Sequence, residues 1–249
     1  MVTKLAKQLK AQQSKPETLP EENYNLLGQR LGRKGQETRE RILTAALRLI
    51  ESSADSVITL SAVAREVSVR MPNLYRYFPD LGELVLACLK RVMDTADEAY
   101  MDRLRVRWAE ESLEDAVLDF LRAHHRFWQV HTRILHMRNS LADAGDQRFV
   151  EYRYVNSRPI AQLLIGQMDG EPSDADAPCA DVATVVLTSF ERLSTVITNP
   201  PFPAIAAMSG VIPGPAYVDR LLKAEAMMIA LAIRQQRMAA SPAAQAAWR

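Results

Sequence analysis

The stretch Thr59–Pro79, TLSAVAREVSVRMPNLYRYFP, limits what this chain can fold into more than any other. Leu60, Val63, Ala64 and Val67 recur at three- and four-residue spacing, which predicts one short amphipathic helix with Thr59 placed as its N-cap. Ser68 and Val69 leave room only for a tight turn. A further short helix is predicted from Arg70 to Tyr77. Pro72 falls in its first turn, where a missing N–H costs nothing, and Pro79 stops it. A longer helix precedes the pair, because Ile42, Leu43, Ala46, Leu47 and Ile50 trace an apolar stripe over about 38–51.

Within the helix before Pro79, Leu74 and Phe78 stand four apart and anchor it to a small core. That leaves Asn73, Tyr75, Arg76 and Tyr77 on the rest of its surface. Two short helices joined by a tight turn behind a supporting helix make a helix-turn-helix, whose second helix enters the major groove of DNA. Tyrosines and an arginine suit a phosphate backbone, and Asn73 suits an adenine edge. Charge is distributed accordingly. Residues 1–91 hold 15 Lys/Arg against 10 Asp/Glu, and the rest of the chain holds 16 against 20. A basic N-terminal third on an acidic body points one end at a polyanion.

Past Pro79, Asp80 and Glu83 have capping-box spacing and open a long helix through Leu84, Leu89 and Met93. Further helices are predicted at about 112–129, 131–143, 146–169, 178–197 and 217–239, with NPPFPAIAAMSGVIPGP read as a loop. Only 9 of 249 residues are glycine and no alternating strand pattern occurs, so the fold class is all-α. Three parts are expected: a disordered basic arm (1–36), the helix-turn-helix domain (37–85) and a larger helical body (86–240). No apolar run reaches the length of a membrane span, and the N-terminus has lysines without the apolar core of a secretory signal. Cys88 and Cys179 lie far apart in apolar contexts, which suits two reduced thiols in the cytoplasm.

TRERILTAALRLIE together with ITLSAVAREVSVRMPNLYRYFPDLGELVLACL resembles the DNA-binding domain of the tetracycline-repressor (TetR) family of transcriptional regulators. The likeness covers about fifty residues, Thr38 to Leu89, and is densest at NLYRYF. Beyond it the chain is similar to the family only in length and helicity. The resemblance implies a cytoplasmic homodimer on a roughly palindromic operator, a repressor released by a small-molecule effector. A DNA-binding protein of the same type without an effector is the alternative. It also implies that Thr59 contacts phosphate and that Arg70, Met71, Pro72 and Asn73 form the base-facing start of the recognition helix. Tyr75 and Tyr77 then hold the backbone with Arg76 between them. Two positions depart from the family. Pro72 stands where glycine is frequent, and Leu81 where a phosphate-gripping lysine is frequent. The basic arm, with Arg30, Arg33 and Lys34, is placed to compensate, or else is a solubilising tail.

In the body, Val182, Val186, Ser189, Leu193 and Val196 form one stripe, and Leu222, Ala226, Ile229 and Ile233 another. Each alone is equally compatible with packing inside one chain; the resemblance implies that the pair forms a dimer interface. Phe120, His124, Phe127, Trp128 and Met137 are the candidate lining of an effector pocket, and equally read as core. The four histidines (His124, His125, His131, His136) lie within thirteen residues, but no nearby Cys or carboxylate completes a ligand set, so no metal is expected. No cofactor motif appears either. The stretch GQRLGRKG lacks the spacing of a phosphate loop, and no nucleophile elbow, metalloprotease signature or dinucleotide fingerprint is present. Catalysis is therefore not expected.

Overall fold

The computed structural model describes residues 30–52, 58–172 and 178–240. Every regular element they form is helical, and the fold is all-α. The helices are α1 (Arg33–Ser52), α2 (Leu60–Glu66), α3 (Met71–Tyr75), α4 (Leu81–Met93), α5 (Asp102–Arg105), α6 (Leu113–Val130), α7 (Thr132–Asp143), α8 (Gln147–Gln167), α9 (Pro178–Ile197), α10 (Phe202–Met208) and α11 (Pro215–Ala240). A π-helical turn, Asp97–Met101, runs into α5, and a 3-10 turn, Glu110–Ser112, runs into α6. Two compact units result, residues 1–49 with 56–84 and residues 50–55 with 85–249.

In the first unit, α1 starts at Arg33, earlier than its apolar stripe suggests. The amides of Gly35 and Gln36 both bond to the Gly32 carbonyl, at 2.8 and 3.0 Å, and the Thr38 hydroxyl bonds back to the Lys34 carbonyl. Polar side chains thus extend the helix past the point where core packing begins. Arg33 and Lys34, expected in an arm, are first-turn residues of α1. Residues 1–29 of that expected arm lie outside the described residues. Thr59 caps α2, its Oγ1 accepting from the Ala62 amide at 3.1 Å. The α2–α3 turn is closed by the Val69 amide on the Ala64 carbonyl and the Ser68 amide on the Arg65 carbonyl. That is the paired bonding of a helix C-terminus whose next residue is left-handed. Ser68 fills that place, at φ 56°, where glycine is the ordinary occupant.

In the second unit, α6 is the central element. Leu113, Val117, Phe120, Leu121, His124, Phe127 and Trp128 are buried along it at helical spacing. It packs against α11, α9 and the π-helical turn, while α8 packs against α7 and α9. Ring–ring contacts join Tyr100, Phe120, His124, Phe127 and Phe190 at centroid distances of 4.8–6.2 Å. Just past the end of α8, a Cβ on Gly170 would lie 2.4 Å from Cys179 Sγ and 2.9 Å from Ile165 Cγ2, so a larger residue there would force those side chains to shift.

The segment after α9, read from sequence as a loop, contains α10. Its prolines misled the reading: Pro201 is the N-cap and Pro203 sits in the first turn, where no N–H is needed. Gly210, at φ 72°, ends the helix, with the Val211 amide on the Ala206 carbonyl at 3.1 Å.

Candidate functional site

In the first unit, α3 is held by Leu74, which is fully buried, and by Phe78, 2% exposed. The Arg39 guanidinium lies 5.3 Å from the Phe78 ring centroid, a cation–π contact that fixes the aromatic from the α1 side. Arg70 is the N-cap of α3 and is exposed; its guanidinium, a donor only, makes no cap bond. Its carbonyl takes the Asn73 and Leu74 amides at 2.9 and 3.1 Å. Met71 and Pro72 fill the first turn, and the missing N–H of Pro72 leaves no intrahelical bond broken.

Around this helix the structure opens a cleft of about 430 Å³ lined by Thr38, Arg41, Ser68, Arg70, Asn73 and Tyr77, together with Val69. Two guanidinium groups, two hydroxyls, a phenol and a carboxamide therefore face one space, and no carboxylate lines it. Arg41 spends one nitrogen on the Val67 carbonyl at 2.8 Å, an orphan at the end of α2, which holds its charge beside the turn. Thr59, Pro72, Tyr75 and Arg76 are exposed outside this cleft, Tyr75 at 46%. Of the residues expected at a nucleic acid, Arg70, Asn73 and Tyr77 are brought together in the cleft. Arg33 and Lys34 are exposed on the first turn of α1, and Arg33 shares its charge with Glu37 at 3.5 Å. Sequence reasoning missed Thr38, Arg41 and Ser68 as members of the site. Arg70, Asn73 and Tyr77 repeat at three and four, which is legible, but which face of α1 they meet depends on packing.

In the body, the residues expected at a pocket and at a dimer interface are largely buried within the chain. Phe120, His124 and Trp128 are buried at 2% exposure or less, with the His124 ring against the other two, and line none of the three clefts beside α3 and α6. Phe127, 5% exposed, packs on Tyr100 and His131. Trp128 Nε1 can only donate, so His124 Nε2 accepts it (3.2 Å), and Nδ1 carries the proton and gives it to Ser194 Oγ at 3.1 Å. Burial, reinforced by Arg138 and His125, holds the imidazole neutral, its pKa pushed down to about 3. Met137, also expected there, lies on α7 and is half-buried. The residues of the two stripes divide between buried and partly accessible. Val186, Leu222, Ala226, Ile229 and Ile233 are buried within the single chain and present nothing to a second copy. Val182, Ser189 and Leu193 remain partly accessible, and Ser189 bonds Glu225 across α9 and α11. The apolar side chains exposed on these helices are Val185, Met227, Met228, Leu231 and Met238.

A second cleft, about 420 Å³, opens on another side of α6, where Arg122, His125, Arg126 and Gln129 form one stripe facing α10 and the start of α11. Phe127, with His131, contributes to a third, between α6 and the π-helical turn. Among the described residues no three His, Cys, Asp or Glu side chains are grouped to hold a metal ion. No described helix is long and apolar enough to cross a membrane. No known protein family matches the chain, and no curated protein matches it either.

Proposed function

We propose that this chain is a DNA-binding transcriptional regulator of the TetR type. It is a homodimeric repressor that sits on a roughly palindromic operator and leaves it when the body binds a small molecule. The observation that carries the reading is the cleft beside α3. Thr38, Arg41, Ser68, Arg70, Asn73 and Tyr77 supply donors and positive charge to one space with no carboxylate to oppose them. Tyr75 and Arg76 stand exposed on the same short helix, as a phosphate-gripping surface requires. Arg41 and Ser68 take over the phosphate grip that Leu81, a partly buried first residue of α4, does not provide. Two copies pair through the exposed face of α11, where Met227, Leu231 and Met238 repeat at four and seven; Val185 on α9 is exposed as well.

The test is salt-dependent binding of the purified protein to DNA from around its own gene, against unrelated DNA of equal length. Tight, selective binding with a steep negative slope against log salt supports the reading. Binding that never exceeds the competitor at any salt overturns the reading for that DNA.

The tight packing of Phe120, His124 and Trp128 favours the alternative, a regulator with no effector, as far as that location is concerned. An effector needs a different place in the body.

A further inference from the structure

His125 lies one position from His124 on α6, and a step of one residue turns a helix by about 100°, so the two rings face different surroundings. His124 points into the aromatic core and has a partner on each nitrogen. His125 is 6% exposed, lines the cleft facing α10, and has no partner on Nδ1 or Nε2. A buried polar group without a partner is a standing cost to a fold, and natural structures leave few of them.

The surroundings say what such a group is for. One side of the cleft is apolar, with Ile197, Phe202, Pro203, Pro213 and Leu222, and Phe202 is stacked on Tyr217 at an interplanar angle of 12°. The other side is charged. Arg122 is committed to Asp219 (Nε to Oδ1, 3.0 Å), and Asp219 is also paired with Lys223 at 2.9 Å. The one carboxylate of the lining is thus neutralised twice over. Arg126 stands beside His125 with its side chain exposed, and it makes no ion pair with a described carboxylate. Gln129 completes the row one turn further along α6. An excess of positive charge, an unpartnered imidazole and flat apolar walls within one small space select a monoanion with a compact apolar body.

We infer that this cleft binds a small aromatic carboxylate, its ring between Phe202 and the prolines and its carboxylate on Arg126 and the N–H of His125. The inference rests on the regulator reading only where it makes this ligand the effector. Burial keeps the His125 imidazole neutral, so it meets the anion as a hydrogen-bond donor and leaves the charge to Arg126.

The experiment is calorimetric titration of the whole chain, without DNA, using 2-naphthoate, 2-naphthamide and 2-naphthylmethylammonium as probes. The expected result is saturable binding of one naphthoate per chain, with the amide at least about tenfold weaker and the ammonium not bound. Arg126→Gln and His125→Phe should each weaken naphthoate binding by about tenfold with the thermal midpoint not lowered. His125→Phe puts a somewhat larger apolar ring at the cleft wall and removes both unpartnered nitrogens, and Arg126→Gln changes an exposed position; the thermal midpoint of each variant shows that the fold is kept. Equal affinity for all three probes, no saturable binding of naphthoate, or unchanged affinity in both variants overturns the assignment. Because no DNA is present, failure here leaves the regulator reading standing, and failure to bind DNA leaves the cleft standing.

Discussion

Arg237 Nε donates to the main-chain carbonyl of Gln167 at 2.8 Å, joining the end of α11 to the end of α8 across 70 residues. The same guanidinium gives Nη2 to the Trp108 carbonyl at 3.0 Å and Nη1 to Glu110 at 3.1 Å. Gln167 completes the node. Its Oε1 takes the Trp108 amide at 3.0 Å, and its Nε2 serves the carbonyls of Leu104 and Val106, each at 2.8 Å. Irregular backbone between α5 and α6 is thereby satisfied by two buried side chains.

Replacing Arg237 with Met keeps the apolar stem and removes every donor, leaving the Gln167 and Trp108 carbonyls without it. A loss of about 3 kcal/mol is expected. Arg237→Lys should recover only a minor part, because an ammonium on one stem cannot reach three divergent acceptors. Urea denaturation of the three proteins checks both statements.

Ser68 sits at φ 56° with its two turn bonds already made by main chain. Ser68→Gly removes the left-handed penalty and should stabilise the chain by about 1 kcal/mol. Ser68→Val should cost at least as much, since a β-branched residue tolerates that region worst. Thermal midpoints of the pair should therefore move in opposite directions.

All four histidines are pushed below their ordinary pKa by burial, His124 to about 3. The unfolded chain takes up those protons near pH 6.5 and the folded chain does not. Their contribution to stability is thus complete above about pH 6.5 and is lost as pH falls below it. For His124 the slope approaches about 1.4 kcal/mol per pH unit. Asp146 and Asp169 have carboxyl groups held low, chiefly by bonds from Arg148 and Arg107, so their stabilisation is lost only below the ordinary carboxylate range. Denaturant midpoints between pH 7.5 and 5 should therefore follow the histidines, and His124→Gln should flatten the curve.

On DNA, Tyr75→Ala and Arg76→Ala should weaken binding to every sequence, and Arg76→Ala should reduce the slope against log salt by about 1. Arg41→Ala should do the same, a result that the spacing within α3 alone does not anticipate. Asn73→Ala should chiefly relax base preference, by about 1–3 kcal/mol at one position of the operator. Fluorescence anisotropy across a set of single-base operator variants separates the two outcomes. Unchanged affinity in Tyr75→Ala would take α3 off the DNA.

Leu231→Glu places a charge in the exposed stripe of α11 without touching the buried one. It should convert a dimer to a monomer in light scattering while leaving helicity intact. A wild-type chain that is already monomeric at micromolar concentration would discard the proposed face.

What the sequence determined by itself was local. Thr59 as a cap, the Asp80–Glu83 box, the prolines around α3 and the course of α6 to α9 all rest on contacts within a turn or two. Periodicity and capping chemistry carry that information along the chain. Tertiary structure decided everything that depends on which distant surface a helix meets. The stripe Leu222, Ala226, Ile229 and Ile233 is real, but only the packing of α11 on α6 turns it inward and leaves Met227 and Leu231 outside. Thr38 and Arg41 become part of a site only because α1 lies beside α3. His124 and His125 are neighbours with the same side chain, and no local rule tells them apart. One meets Trp128 and Ser194 and is satisfied in the core; the other meets a cleft. Burial is a property of the surfaces that come together, and those surfaces lie far apart along this chain, 97 residues for Arg122 and Asp219 at the cleft and 129 for Arg237 and Trp108.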